Sequence, residues 1–161
     1  HGVYPLPESQ LDRFLLRTRV GYPGEQVERA LLLGRGPAGD RDVDSIEPVL
    51  TPEHVAKLTA SVDDVLLADE VASYLQAVVR ATREASSLEI GVSTRGILSY
   101  ARAVRARALV MGRTFVTPDD VHALAVPVCA HRVVLRGSRR ADRAEAEAVV
   151  RELVSRVPVP V

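Results

Sequence analysis

The chain is almost without lysine. Lys57 is the only one, every other basic residue being arginine, and it sits in His54-Val55-Ala56-Lys57-Leu58. A phosphate-binding loop of the Walker A type needs a lysine directly after glycine and before serine or threonine. No such loop is present, which excludes that way of gripping phosphate for this stretch acting alone. Cysteine is equally scarce. Cys129 cannot make an internal disulfide, which fits a reducing compartment, with the cytoplasm as the expected setting. Net charge is also missing: 21 basic residues balance 21 acidic ones. There is no electrostatic footprint for nucleic acid or an anionic membrane, so neither is an expected partner. No apolar run approaches the roughly 20 residues that span a bilayer, and no basic-then-apolar signal opens the chain. At 161 residues the chain has room for one main domain, or a short remnant plus one compact domain.

What is present is mostly helical pattern. A short turn opening at Pro7 leads into Leu16, Thr18 and Val20, which alternate with Arg17 and Arg19 as a half-buried strand does. A lone strand cannot satisfy its own backbone groups, so the sheet it would join is expected upstream of residue 1. Gly21-Tyr22-Pro23-Gly24 is a turn cluster that marks a boundary, after which Glu25 to Leu33 has a helical period. Gly34 to Asp44, rich in glycine and charge, reads as an exposed loop. Thr51-Pro52-Glu53 and Thr117-Pro118-Asp119-Asp120 each place a capping hydroxyl before a proline at the first helical position.

Three further helices follow from spacing. One opens at Asp69 and aligns Val71, Leu75, Val78, Val79 and Thr82, and another aligns Ile97, Ala101, Val104, Ala108 and Met111. A last one, from about Ala141 to Arg156, carries Ala146, Val149, Val150, Leu153 and Val154, and Pro158 and Pro160 stop it. Adjacent amphipathic helices with short connections imply a bundle. Cys129, His131 and His122 could suggest a metal site. Cys129 instead shares an apolar stripe with Val121, Ala125 and Val128, and with no second cysteine at ligand spacing no metal is expected.

Four segments together resemble the MoxR family of AAA+ ATPases. They are Gly2-Val3-Tyr4-Pro5-Leu6-Pro7-Glu8-Ser9-Gln10-Leu11-Asp12-Arg13-Phe14, Val79-Arg80-Ala81-Thr82-Arg83, Gly91-Val92-Ser93-Thr94-Arg95, and Gly112 through Val121, in the family's order and spacing. The chain departs from the familiar pattern at His1, Val3, Val92, Thr94 and Gly96. Val92 and Gly96 read as packing variants, and Ser93 can cap the helix that a proline at 94 would otherwise start. The resemblance implies a mainly α product: residues 1–22 as the short α/β remnant that closes the AAA+ core, and residues 23–161 as the helical lid. Val65-Leu66-Leu67-Ala68-Asp69-Glu70 mimics a Walker B strand, but lies downstream of the Leu-Asp-Arg-Phe corner when it should lie upstream. Asp69 and Glu70 serve equally well as cap and first turn of the next helix.

By resemblance, Arg95 is sensor 2, a lid guanidinium that binds the γ-phosphate and couples its loss to lid angle, with Ser99 and Arg102 supporting it on the same face. A solvated arginine stripe is the plainer alternative. Arg13 stands where related proteins offer an arginine finger to the neighbouring subunit, with Asp12 as a positioning residue. The alternative there is a local Asp12–Arg13 pair that anchors the corner. The resemblance further implies a homo-oligomeric ring, expected to be a hexamer, using ATP and Mg2+ in the full-length protein, with neither bound by this stretch alone. It also implies chaperone-like remodelling or maturation of client proteins, often with a von Willebrand factor A-type partner. Two other readings remain open: a helical DNA-binding module, in which Thr117 to Val121 opens one helix of a helix-turn-helix, and a non-catalytic interaction scaffold. Acidic first turns argue against the former.

Overall fold

Hydroxyl caps decide where several helices begin. Ser93 accepts from the Gly96 N–H at 3.0 Å, Thr51 accepts from the His54 N–H at 3.3 Å, and Thr117 donates through its N–H and hydroxyl to the Asp120 carboxylate at 2.9 and 3.1 Å. In the computed structural model, which describes residues 6–35, 46–137 and 143–160, the elements run α1 (Glu8–Leu11), α2 (Glu25–Leu32), α3 (Pro52–Ser61), α4 (Asp69–Glu84), β1 (Leu88–Ile90), α5 (Thr94–Val110), α6 (Pro118–Cys129), β2 (Val134–Leu135) and α7 (Arg143–Ser155). Asp69 is not itself a cap: Ala68 holds that position without a side-chain bond, and Asp69 and Glu70 fill the first turn of α4, where the helix dipole favours acids.

The chain divides into two compact units, residues 18–58 and residues 1–17 with 59–161. In the larger unit, α5 packs on α6, and α4 and α7 pack on α6 and on each other. The expected stripes form its core. Val78, Val104, Val121, Val128, Cys129 and Val150 have no solvent exposure, so each fully buried aliphatic side chain contributes about 2 kcal/mol. Helix α5 sits rotated from expectation. It buries Gly96, Tyr100, Ala103, Val104 and Ala108, while Ile97 and Ala101 are half-buried and Met111, its C-cap, is exposed. Tyr100 sets that rotation, because its buried hydroxyl must find an acceptor and donates to the Val121 carbonyl.

Two short pairings complete the unit. β1 and β2 are antiparallel, with Leu88 opposite Leu135 and Ile90 opposite Val134. Leu66 and Phe115 form an isolated parallel bridge, with the Leu66 N–H on Thr114 O and the Val116 N–H on Leu66 O, both at 2.9 Å. Residues 65–68 are thus a linker bridged at Leu66, and Asp69 and Glu70 already belong to α4. The strand expected over Leu16 to Val20 does not form. Nothing among the described residues pairs with it as a ladder, and the Arg17 N–H instead donates to Pro127 O at 2.9 Å.

The smaller unit contains α2 and most of α3, and neither helix has a buried residue. Val27 and Leu31 on α2 are 42% and 45% exposed, and Val20 is 99% exposed. Most of the expected loop from Gly34 to Asp44 lies outside the described residues. Among the described residues no helix is long and apolar enough to cross a membrane.

Candidate functional site

The Leu-Asp-Arg-Phe corner follows α1 as a tight turn, with the Arg13 and Phe14 N–H groups on Gln10 O and Leu11 O at 3.2 and 3.1 Å. Asp12 does not pair with Arg13. Its carboxylate accepts from the Ser93 hydroxyl at 3.0 Å and from Arg132 Nε at 3.2 Å. The Arg132 side chain has no solvent exposure. Its guanidinium also donates to the carbonyls of Leu15 at 3.2 Å, Asp12 at 3.4 Å, Phe14 and Val128. A buried guanidinium is tolerable only when its donors are taken, and here most of them grip one four-residue stretch. Arg13, in the middle of that stretch, is exposed and makes no side-chain hydrogen bond or ion pair among the described residues.

His131 is buried beside Arg132, its Nε2 3.0 Å from Arg132 Nη1 and 3.1 Å from Phe14 O. Burial holds its imidazole below the usual histidine range. The Phe14 carbonyl opposes that shift, and the charges of Arg132 and Arg17 add to it. Burial also lowers Arg132, while Asp12 pulls it back. Cys129 lies in the core with its thiol pushed up to about 12 by burial, and His122 is exposed on α6, so the three residues weighed as metal ligands do not converge. Among the described residues no three His, Cys, Asp or Glu side chains are grouped to hold a metal ion.

The start of α5 is held from behind by α4. Thr82 donates its hydroxyl to Val79 O at 2.7 Å and accepts from the Val92 N–H at 3.0 Å, while Arg83 Nε donates to Val92 O at 2.8 Å. Gly91 allows this approach, since a Cβ there would stand 2.7 Å from Thr82 O and the Arg83 Cα. Gly96 leaves the room that Arg132 needs: a Cβ would meet Val92 Cγ1 at 2.6 Å and Arg132 Cδ at 3.0 Å. The reading of Val92 and Gly96 as packing positions therefore acquires a cause. Arg95 occupies the first turn of α5, exposed, with no side-chain partner among the described residues. Half-buried Ser99 and exposed Arg102 follow along that face, and neither side chain is hydrogen-bonded among the described residues.

The fourth motif makes a separate network. Asp120, 2% exposed, receives Arg113 at 2.7 and 2.8 Å and stands 3.2 Å from Arg107. Burial would raise its carboxyl, but the bonds from Arg113 and Thr117 outweigh that and keep it low. Of the acidic start of α6, weighed as the opening of a DNA-reading helix, Asp120 is consumed by these internal partners and Asp119 is exposed.

Sequence reasoning passed over Arg132, gave Thr82 only a place on the buried stripe of α4, and weighed His131 only as a metal ligand. Arginine is so common here that nothing local separates the buried one from the solvated ones.

Residues 80–153 match the AAA lid domain family. The chain is 38% identical over 160 residues to the uncharacterized protein YeaC of Bacillus subtilis, covering 99% of this chain and 49% of that protein. It is 34% identical over 178 residues to the chaperone MoxR1 of Mycobacterium tuberculosis, covering 99% of this chain and 44% of that one. The crystal structure of a candidate ATPase from Cytophaga hutchinsonii superposes with a TM-score of 0.81 at 25% identity, over 100% of this chain and 51% of that one. The chain thus spans about half the length of the curated relatives it matches. With the lid fold, the lid family match and the whole-chain likeness to MoxR chaperones in agreement, the chain belongs to the MoxR-type AAA+ ATPases, as the C-terminal portion that carries the lid.

Proposed function

We propose that this chain supplies two phosphate-reading arginines to an ATP-hydrolysing ring, one guanidinium for each side of a subunit interface. Arg95 reads the terminal phosphate bound to its own subunit as sensor 2, and Arg13 reaches the site of the adjacent subunit as an arginine finger. One observation carries the reading: both arginines are exposed and have no side-chain partner among the described residues, yet the backbone beneath each is tightly held. Solvated arginines need no such support, whereas a charge that must meet a phosphate at fixed geometry does.

The first turn of α5 carries no acid of its own, unlike those of α4 and α6, and the carboxylate that reaches its cap, Asp12, is taken by Ser93 and Arg132. Bound phosphate would supply the charge that both guanidinium groups answer. By this reading the donors for magnesium and the loop that grips phosphate come from outside this chain, which spans about half the length of the relatives it matches. Output is then mechanical: lid angle and subunit packing change together, and a client protein is remodelled. A chaperone-like role, which the Mycobacterium tuberculosis chaperone among the relatives supports, a homo-hexameric ring in the cytoplasm and a von Willebrand factor A-type partner complete the proposal.

The test is ATP turnover by the full-length protein. Arg13→Ala should lower turnover by about 10³-fold or more. Arg95→Ala, which removes one charge-assisted contact, should cost roughly 10- to 100-fold. Unchanged turnover in both variants would sink the assignment.

A further inference from the structure

We infer that Asp12, Ser93 and Arg132 form a latch that makes the finger segment and the sensor helix move as one body within a subunit. The inference rests on the roles proposed for Arg13 and Arg95. It assigns positioning roles to three residues that touch no phosphate.

The chemistry of the latch is directional. The Ser93 hydroxyl has one hydrogen, which goes to the Asp12 carboxylate, and its lone pair accepts the Gly96 N–H in the first turn of α5. One carboxylate therefore orients the cap of the helix that carries Arg95. The same carboxylate takes Arg132 Nε, and Arg132 returns to the finger segment through the carbonyls of Asp12, Phe14 and Leu15. Arg132 is itself wedged against α5, since its Cδ fills the space that the missing Gly96 side chain leaves. The finger segment is thus bonded to α5 by Ser93 and packed on it through Arg132.

Separating the two would strand a fully buried guanidinium and leave a carboxylate without its partners, so the pair is better displaced together than apart. The antiparallel pairing of Leu88 with Leu135 reinforces this, because it joins the strand leading to Gly91 to the strand that follows Arg132. A lid that shifts on its own nucleotide through Arg95 then carries Arg13 with it, and so alters what the neighbouring subunit's site receives. Coupling between adjacent sites needs a two-sided element of this kind.

The experiment is hydrogen exchange on the full-length protein with and without a non-hydrolysable ATP analogue. It is done in an Arg13→Ala background, where the finger cannot touch the neighbour's phosphate and any response of residues 12–16 must come from within the subunit. The reporters are the Arg13 and Phe14 amides, which are hydrogen-bonded to Gln10 O and Leu11 O, and the amides of residues 93–97. The analogue should slow exchange in both segments by ~5-fold or more. Ser93→Gly, a replacement that a helix N-cap tolerates, should leave the response at 93–97 and weaken it at 12–16, where Arg132 alone then holds the segment to α5. Ser93→Thr, which keeps the hydroxyl, should restore both. A response at 93–97 with none at 12–16 in the Ser93 protein overturns the latch while leaving sensor 2 intact. No response in either segment, with analogue affinity unchanged by Arg95→Ala, overturns the sensor reading and the latch with it.

Discussion

Asp12 and Arg132 lie 120 residues apart in the chain and meet at 3.2 Å, with the Arg132 side chain fully buried and that of Asp12 21% exposed. A pair so placed is costly to break from one side, because the remaining charge keeps its desolvation cost without its partner.

Arg132→Ala should therefore lower the unfolding free energy by about 3–5 kcal/mol. Arg132→Met, which restores apolar volume, should recover part of that. Denaturant titration of the full-length protein measures both. A loss under about 1 kcal/mol in Arg132→Ala would mean the pair behaves like a surface ion pair.

Gly91 and Gly96 should respond differently to alanine. At Gly91 the new Cβ meets backbone of Thr82 and Arg83, which cannot yield, whereas at Gly96 it meets the side chains of Val92 and Arg132. Gly91→Ala should cost roughly 1–3 kcal/mol by overpacking. Gly96→Ala should cost less, since the gain in helix propensity of about 1 kcal/mol offsets the crowding. Thermal melts of the two variants should rank them in that order, and the reverse order would count against the packing described.

His131 should make stability fall on mild acidification. Its folded value lies below the ordinary 6.5, so above that pH the ring is neutral in both states and contributes no pH dependence. As pH drops below it, the unfolded chain takes up the proton first, and stability is lost until the folded value is reached. His131→Gln should flatten the melting temperature over this window relative to the parent. Parallel curves for the two proteins would rule out a titrating role.

The proposed finger acts in trans, so defects on different subunits should complement. Full-length Arg13→Ala and Arg95→Ala proteins, mixed and reassembled, should hydrolyse more ATP than either alone, since some interfaces then join an intact finger to an intact sensor. Activity that never exceeds the mean of the two would place both arginines at one subunit's own site.

Cys129 has no exposure, and burial pushes its thiol up to about 12. It should resist alkylation at neutral pH in the folded protein and react once denatured. Rapid labelling of the native protein would show that the α6 core opens far more readily than its packing suggests.

Much of this was legible in the order of residues. Thr51-Pro52, Ser93 and Thr117-Pro118 mark helix starts because capping is a contact between residues three apart. The stripes of α4, α6 and α7 are readable because one helix buries one face, and the four MoxR-like segments carry the family in their own residues. Where local pattern had two solutions it misled: the seam of α5 turned to satisfy the hydroxyl of Tyr100, and Met111 went to solvent.

The chain's own order of residues thus determined which segments are helical, which faces are apolar and which arginines stand in family motifs. Only the tertiary structure decided that Asp12 serves Ser93 and Arg132 in place of its neighbour Arg13, and that Arg132, one arginine among many, is the buried one among the described residues. The reason is physical. Capping and amphipathicity act within a turn or two of helix, whereas the partner of a charge is chosen by which groups the packed helices bring together and by the cost of leaving any of them unpaired in the interior.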